Sequence, residues 1–197
     1  MSATAAPYGL RPVKRIDGQP YAGAVGEYRI ESGETDTFFN GQPVQIASGY
    51  VVEISAGDMG TSTTPDEYIG VFMGCSYTDP TSSNKVWRNY YPGSVTASDI
   101  VAYVADDPAL VFQVQAEDAS FDVNAVIGSC YALGETDSGS TLTGNSTIDL
   151  DNSAGAGATK PFKVVGLANQ PGNTNASGYV DVLVMINGGF HVWQRNG

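Results

Sequence analysis

Two neighbouring carboxylates, Asp106 and Asp107, are the residues whose types and spacing most suggest chemistry in this sequence. Paired carboxylates serve in acid–base hydrolysis and in metal binding. A hydrolytic pair, however, needs two environments that separate the pKa values, and adjacent residues of a strand point to opposite faces. Pro108 follows directly, and Asp-Asp-Pro between apolar runs is typical of a turn in which an aspartate side chain bonds the backbone two residues on. The sequence therefore predicts the corner of a hairpin here, not a catalytic pair.

The only histidine, His191, lies near the C-terminal end in GGFHVWQRNG. A lone histidine can act as a general base, and a serine nucleophile would need one. No G-x-S-x-G motif accompanies it, and the sequence offers no phosphate-binding loop or dinucleotide fingerprint. We expect His191 to be packed or exposed and not catalytic.

The stretch DLDNSAGAG superficially matches the start of a calcium-binding loop, with oxygen-bearing side chains at Asp149, Asp151 and Ser153. Ala154 stands where such a loop requires glycine, and Lys160 stands where it requires a bidentate acid. This excludes an EF-hand and leaves only a weak, adventitious cation site open. The sequence predicts no resident metal and no cofactor.

The elements that must position these residues are short runs of β-branched and aromatic residues, which recur from residue 28 onward. Asn40-Gly41 predicts a tight turn, and Ser48-Gly49 predicts one less strongly. Gly70 and Gly74 interrupt the apolar run EYIGVFMGCSYTD, which favours a core strand with a bulge or a close backbone approach.

Helical apolar spacing is not sustained in any window of 11 residues without Gly or Pro, so any helix is expected to be short. The pattern predicts an all-β fold, a β-sandwich or barrel of roughly ten short strands with an extended N-terminal arm. Residues 1–27 would form the arm and residues 28–197 the β-rich body.

Charge is distributed unevenly along the 197 residues, whose formal net charge is −12. Residues 1–30 carry four basic and two acidic side chains, whereas residues 31–197 carry five basic and nineteen acidic ones. An acidic body repels phosphate, which argues against nucleic acid and anionic membranes as partners. The prolines and glycines of the arm indicate an ordered but irregular segment, whose aromatic and aliphatic side chains need a surface to lie against.

Cys75 and Cys130 could form a disulfide only if the fold brings their Cα atoms within about 7 Å. The N-terminal residues lack the apolar segment of a signal peptide, which predicts synthesis in a reducing cytoplasm. Two buried free thiols are therefore favoured over a disulfide.

Three stretches together resemble the small decoration, or cement, proteins of tailed-bacteriophage heads. They are YGLRPVKRIDGQPYAG, then YYPGS with YVADDPALVFQVQ, and finally VVGL with DVLVMIN. The resemblance spans most of the chain, and its motifs are structural. It implies a virion protein on the outer surface of the capsid, commonly a homotrimer, that clamps neighbouring major capsid subunits.

This resemblance gives the basic arm a function, since an extended arm can lie along a neighbouring subunit. Basic side chains would pair with acidic capsid surface, and aromatic and aliphatic ones would be buried there. The expected capsid-contact residues are Tyr8, Leu10, Arg11, Lys14, Arg15 and Tyr21.

Two other functions remain open. Trp87, Tyr90 and Tyr91 in KVWRNYYPG favour a place in the core or at an oligomer or surface contact, but exposed rings could instead stack on sugars in a carbohydrate- or receptor-binding module. A hydrolase using Asp106 and Asp107 is the third hypothesis. The leading hypothesis is a non-enzymatic capsid protein.

Overall fold

A computed structural model describes residues 4–54, 67–117, 121–134, 139–153, 155–174 and 178–194. These residues form twelve strands and one short helix. The elements are β1 (Arg11–Arg15), β2 (Gly26–Arg29), β3 (Pro43–Ala47), β4 (Tyr50–Glu53), β5 (Tyr68–Thr78), β6 (Lys85–Arg88), β7 (Val101–Ala105), β8 (Leu110–Gln115), α1 (Val123–Val126), β9 (Cys130–Leu133), β10 (Leu150–Asp151), β11 (Phe162–Leu167) and β12 (Asp181–Ile186).

The strands form two antiparallel sheets. The first has the order β1-β8-β12-β11-β9-β10, and the second has the order β2-β7-β5-β3-β4 with β6 also paired to β5. The chain therefore enters the first sheet, builds the whole second sheet, and returns to the first at β8. The predicted all-β fold is confirmed as a β-sandwich.

Two apolar cores stabilise this arrangement. The inter-sheet core takes side chains from both sheets, including Phe112 and Phe162 of the first sheet and Tyr68 of the second. The second core lies on the other face of the second sheet, where Phe38 and Phe72 are buried. Burying each such side chain contributes about 1.5–3 kcal/mol to stability, so the second sheet is stabilised by apolar packing on both of its faces.

Strand β5 contributes to both cores because its side chains point to both faces of the sheet, and its two glycines lie where its pairing is irregular. Its pairing shifts register near Gly70 against β3 and near Gly74 against β7, so the prediction of a core strand with a bulge or a close backbone approach is confirmed. Gly70 has φ of 155°, and a Cβ there would lie 2.2 Å from the carbonyl oxygen of Ala105. Only glycine lets β7 approach β5 this closely.

Both predicted tight turns are present, with different roles. Ser48 (φ 52°) and Gly49 (φ 86°) form the two-residue hairpin between β3 and β4. Positive φ at both central residues is the geometry that fits the twist of a hairpin. Asn40-Gly41 forms a turn outside the paired strands, where the N–H of Gln42 donates to the carbonyl of Phe39 over 3.1 Å.

The apolar run NAVIGSCYAL divides into α1 and β9. The Asp122 side chain accepts a hydrogen bond from the Asn124 N–H at 3.1 Å and caps the short helix. The helix is four residues long, in line with the expectation that any helix is short.

Candidate functional site

Residues 106–109 connect the two sheets. The Asp107 carboxylate accepts a hydrogen bond from the N–H of Ala109 at 2.9 Å, and the Leu110 N–H donates to the Asp107 carbonyl at 3.0 Å. The predicted aspartate turn, with a bond two residues on, is confirmed. The predicted hairpin is wrong, because β7 lies between β2 and β5 in the second sheet whereas β8 lies between β1 and β12 in the first.

The two carboxylates of this connection bond different strands. Asp106 accepts a hydrogen bond from the Tyr28 hydroxyl at 2.5 Å, and Asp107 accepts one from the Arg15 guanidinium. Tyr28 belongs to β2 and Arg15 to β1, so the connection is fastened to both sheets. Burial and the neighbouring Asp106 raise the pKa of Tyr28, which keeps its hydroxyl protonated as the donor. Each carboxylate has a structural hydrogen-bond donor.

His191 lies beside this connection and is fully buried. Its Nδ1 accepts a hydrogen bond from the backbone N–H of Trp193 at 3.2 Å, while Nε2 has no hydrogen-bond partner among the described residues. Burial lowers the pKa of His191, and the charges of Asp106 and Asp107 oppose that shift. His191 is thus packed, one of the two environments expected for it, and is neutral at pH 7.

The N-terminal segment lies on its own body. Leu10 is fully buried in the inter-sheet core, and β1 pairs with β8. The Tyr8 hydroxyl donates to Asp181 at 2.5 Å and accepts from the Gln113 side chain at 2.9 Å. The expectation that Leu10 contacts a capsid neighbour is therefore corrected, because its side chain is used inside the fold. Sequence alone could not distinguish burial in the body from burial in a partner.

The remaining contact residues of that segment differ in accessibility. Arg11 and Lys14 are exposed, and the Arg11 guanidinium lies 4.1 Å from the centre of the Tyr8 ring. Arg15 is half-buried and bonds Asp107, while Tyr21 is half-buried and donates to the carbonyl of Ala24 at 3.1 Å. The structure therefore leaves Arg11 and Lys14 most available to a partner.

The three aromatic residues of KVWRNYYPG do not form one platform. Tyr91 is fully buried in the second core, where it stacks on Phe38 with ring centres 5.5 Å apart. Tyr90 is half-buried and stacks on Phe39 at 6.0 Å. The contact role predicted for Tyr91 is corrected, since a buried ring offers no surface. Trp87, 61% exposed, remains open.

Trp87 instead shares a surface with residues that the sequence analysis missed. Trp87 pairs with Ser76 across β6 and β5, and Gly74 pairs with Tyr103 across β5 and β7. The Trp87 indole lies over Gly74, and the Tyr103 hydroxyl is 3.0 Å from the Ser76 hydroxyl. We call Trp87, Gly74, Ser76 and Tyr103 the aromatic shoulder. Its members come from three strands, and only the sheet register brings them together.

The cysteines match the expectation of buried free thiols. Burial raises the pKa of the Cys75 thiol to about 12, and burial also raises that of Cys130. Neither thiol has the lowered pKa of a reactive nucleophile.

Among the described residues, no group of three or more His, Cys, Asp or Glu side chains is arranged to hold a metal ion. The helix that the described chain contains is too short to cross a membrane. Comparison of the chain with protein-family models, curated proteins and solved structures found no match.

Proposed function

We propose that this chain is a non-enzymatic structural protein of a phage virion. It decorates the outer surface of the capsid as a homotrimer and stabilises the shell by clamping neighbouring major capsid subunits. The sequence resemblance to decoration proteins supports this proposal, as does a β-sandwich whose paired carboxylates bond other parts of the fold.

The observation that carries the proposal is the exposed basic pair Arg11 and Lys14 on β1. Leu10 anchors this strand in the core, so both cations are held on a fixed strand. The rest of the chain is strongly acidic, which directs a negatively charged partner to this place and keeps nucleic acid away from the remainder. A contact that is already ordered loses less conformational entropy on binding than a free arm would.

Co-sedimentation with bare heads of the phage that encodes the chain tests the contact. The Arg11→Glu/Lys14→Glu protein should bind heads about tenfold more weakly at low salt, and less so at high salt, because ions screen exposed charges. The matched control is Arg29→Glu/Arg88→Glu, which makes the same charge change at two exposed residues of the second sheet. Equal weakening in both proteins would mean that net charge, and not this surface, governs binding.

A second candidate function is a carbohydrate- or receptor-binding module on the virion surface. The aromatic shoulder favours it, since Trp87 is 61% exposed and lies over a glycine near Tyr103. Aromatic faces open to water are what sugar rings need for stacking. The test is titration of the chain with host-surface glycans while Trp fluorescence is followed. A fluorescence change that saturates with glycan and is absent in Trp87→Ala supports this candidate, whereas no change on addition of glycan to the wild-type chain rejects it.

A further inference from the structure

The C-terminal segment of residues 187–194 fastens onto the start of β5, and we call it the C-terminal latch. The Tyr68 N–H donates to the Phe190 carbonyl at 2.8 Å, and the Val192 N–H donates to the Tyr68 carbonyl at 3.0 Å. Phe190 packs against the inter-sheet core and Val192 against the second core. The latch therefore covers part of both cores.

The middle residue of this latch, His191, is fully buried and can keep its hydrogen bond only as a neutral imidazole. Its Nδ1 is the acceptor for the Trp193 N–H at 3.2 Å, so the single proton of the neutral ring lies on Nε2. Protonation places a second proton on Nδ1. Two N–H groups would then face each other, so this hydrogen bond within the latch would be lost and a charged imidazolium would be left in a fully buried position.

Charged and titratable groups reach His191 from the inter-sheet connection, and each has another partner. The Asp106 carboxylate accepts from Tyr28 of β2, and its charge also acts on Tyr21. The Asp107 carboxylate accepts from the Arg15 guanidinium of β1 and from a backbone N–H of its own turn. These carboxylates and the backbone of Asp106 favour the charged imidazolium, but burial has the larger effect and favours the neutral ring.

We propose that His191 is an acid-sensitive switch whose protonation releases the C-terminal latch from β5. Release removes both backbone bonds to Tyr68 and uncovers the sites of Phe190 and Val192 in the two cores. Acid should destabilise the closed state, because burial holds the pKa of His191 in the folded protein below its ordinary value of about 6.5. The closed state is fully favoured above that value, and loses stability as pH falls below it toward the folded pKa.

One histidine and two tryptophans make the test direct. In the Trp87→Phe protein, Trp193 reports on the latch and the single imidazole signal in proton NMR reports on His191. We expect the imidazole to titrate below pH 6.5. Over the same pH range the protection of the Val192 amide against hydrogen exchange should fall, and the Trp193 emission should shift. The fall in protection should be about tenfold for each unit by which the pKa of His191 in the closed state lies below its pKa in the open state.

The control is His191→Gln in the same background, because glutamine can accept from the Trp193 N–H and donate elsewhere without titrating near pH 6. Its Trp193 emission and Val192 protection should stay constant from pH 8 to pH 5. An identical transition in this variant overturns the proposal, as does a wild-type imidazole that titrates at 6.5 or above. If the variant does not fold, the imidazole titration and Val192 protection of the histidine-containing protein decide the matter.

Discussion

Truncation of Leu10 tests whether the N-terminal segment belongs to the body. Leu10 is fully buried and packs in the inter-sheet core beside strands of the first sheet. Leu10→Ala removes the buried methyl groups and leaves a cavity, which together cost about 2–5 kcal/mol. For a domain of this size the melting temperature should fall by about 4–20 °C.

The assay is urea unfolding and thermal melting of the purified chain with no capsid present. Ile16→Ala is the matched control, since Ile16 lies in the same segment but is 54% exposed, and its truncation should change stability by under about 0.5 kcal/mol. Equal stability of the two variants would refute the packing of this segment. For the same reason, deletion of residues 1–26 should destabilise the body and not merely remove a contact arm.

Three further perturbations test the packing of the second sheet and its connection to the first. Gly70→Ala should lower the free energy of unfolding in urea by about 2–5 kcal/mol, because the new Cβ would lie 2.2 Å from a backbone oxygen of β7. The control Gly166→Ala has open space around it and should cost under about 1 kcal/mol. Similar costs for the two variants would contradict the close approach of β5 and β7. Asp107→Asn keeps the side-chain acceptor of the turn and should lose under about 1 kcal/mol of stability, from the partly exposed ion pair with Arg15. Asp107→Ala also removes the acceptor and should lose about 0.5–1.5 kcal/mol more. A larger loss in the asparagine variant than in the alanine variant would contradict the turn. Cys75 should resist thiol reagents at pH 8 until urea unfolds the chain, because burial raises its pKa to about 12; complete modification of the native protein within minutes would show that the site is open.

Sequence reasoning performed well where the chemistry is local. The Asp107 turn, the Ser48-Gly49 hairpin and the glycine bulges of β5 each depend on the conformational preferences of a few adjacent residues. The same preferences could not assign β7 and β8 to different sheets, because the turn is compatible with either connection and the partners of both strands lie far away in sequence.

Residues whose roles depend on tertiary packing were harder to predict. Leu10 and Tyr91 have side chains that suit an interface as well as a core, and both proved to be buried. The neighbours of Tyr103 and His191 are set by the packing of β7 and of the C-terminal latch against β5, which the local sequence does not specify. Candidate surfaces on this chain therefore come from register and burial more than from motifs.

The thermal stability of bare heads tests the proposed decoration function most directly. Purified wild-type chain should sediment as a trimer, bind bare heads and raise the temperature at which they come apart, whereas the Arg11→Glu/Lys14→Glu protein should bind weakly and raise it less at the same concentration. A monomer that neither binds heads nor changes their melting would contradict the proposal and leave the aromatic shoulder as the basis of function.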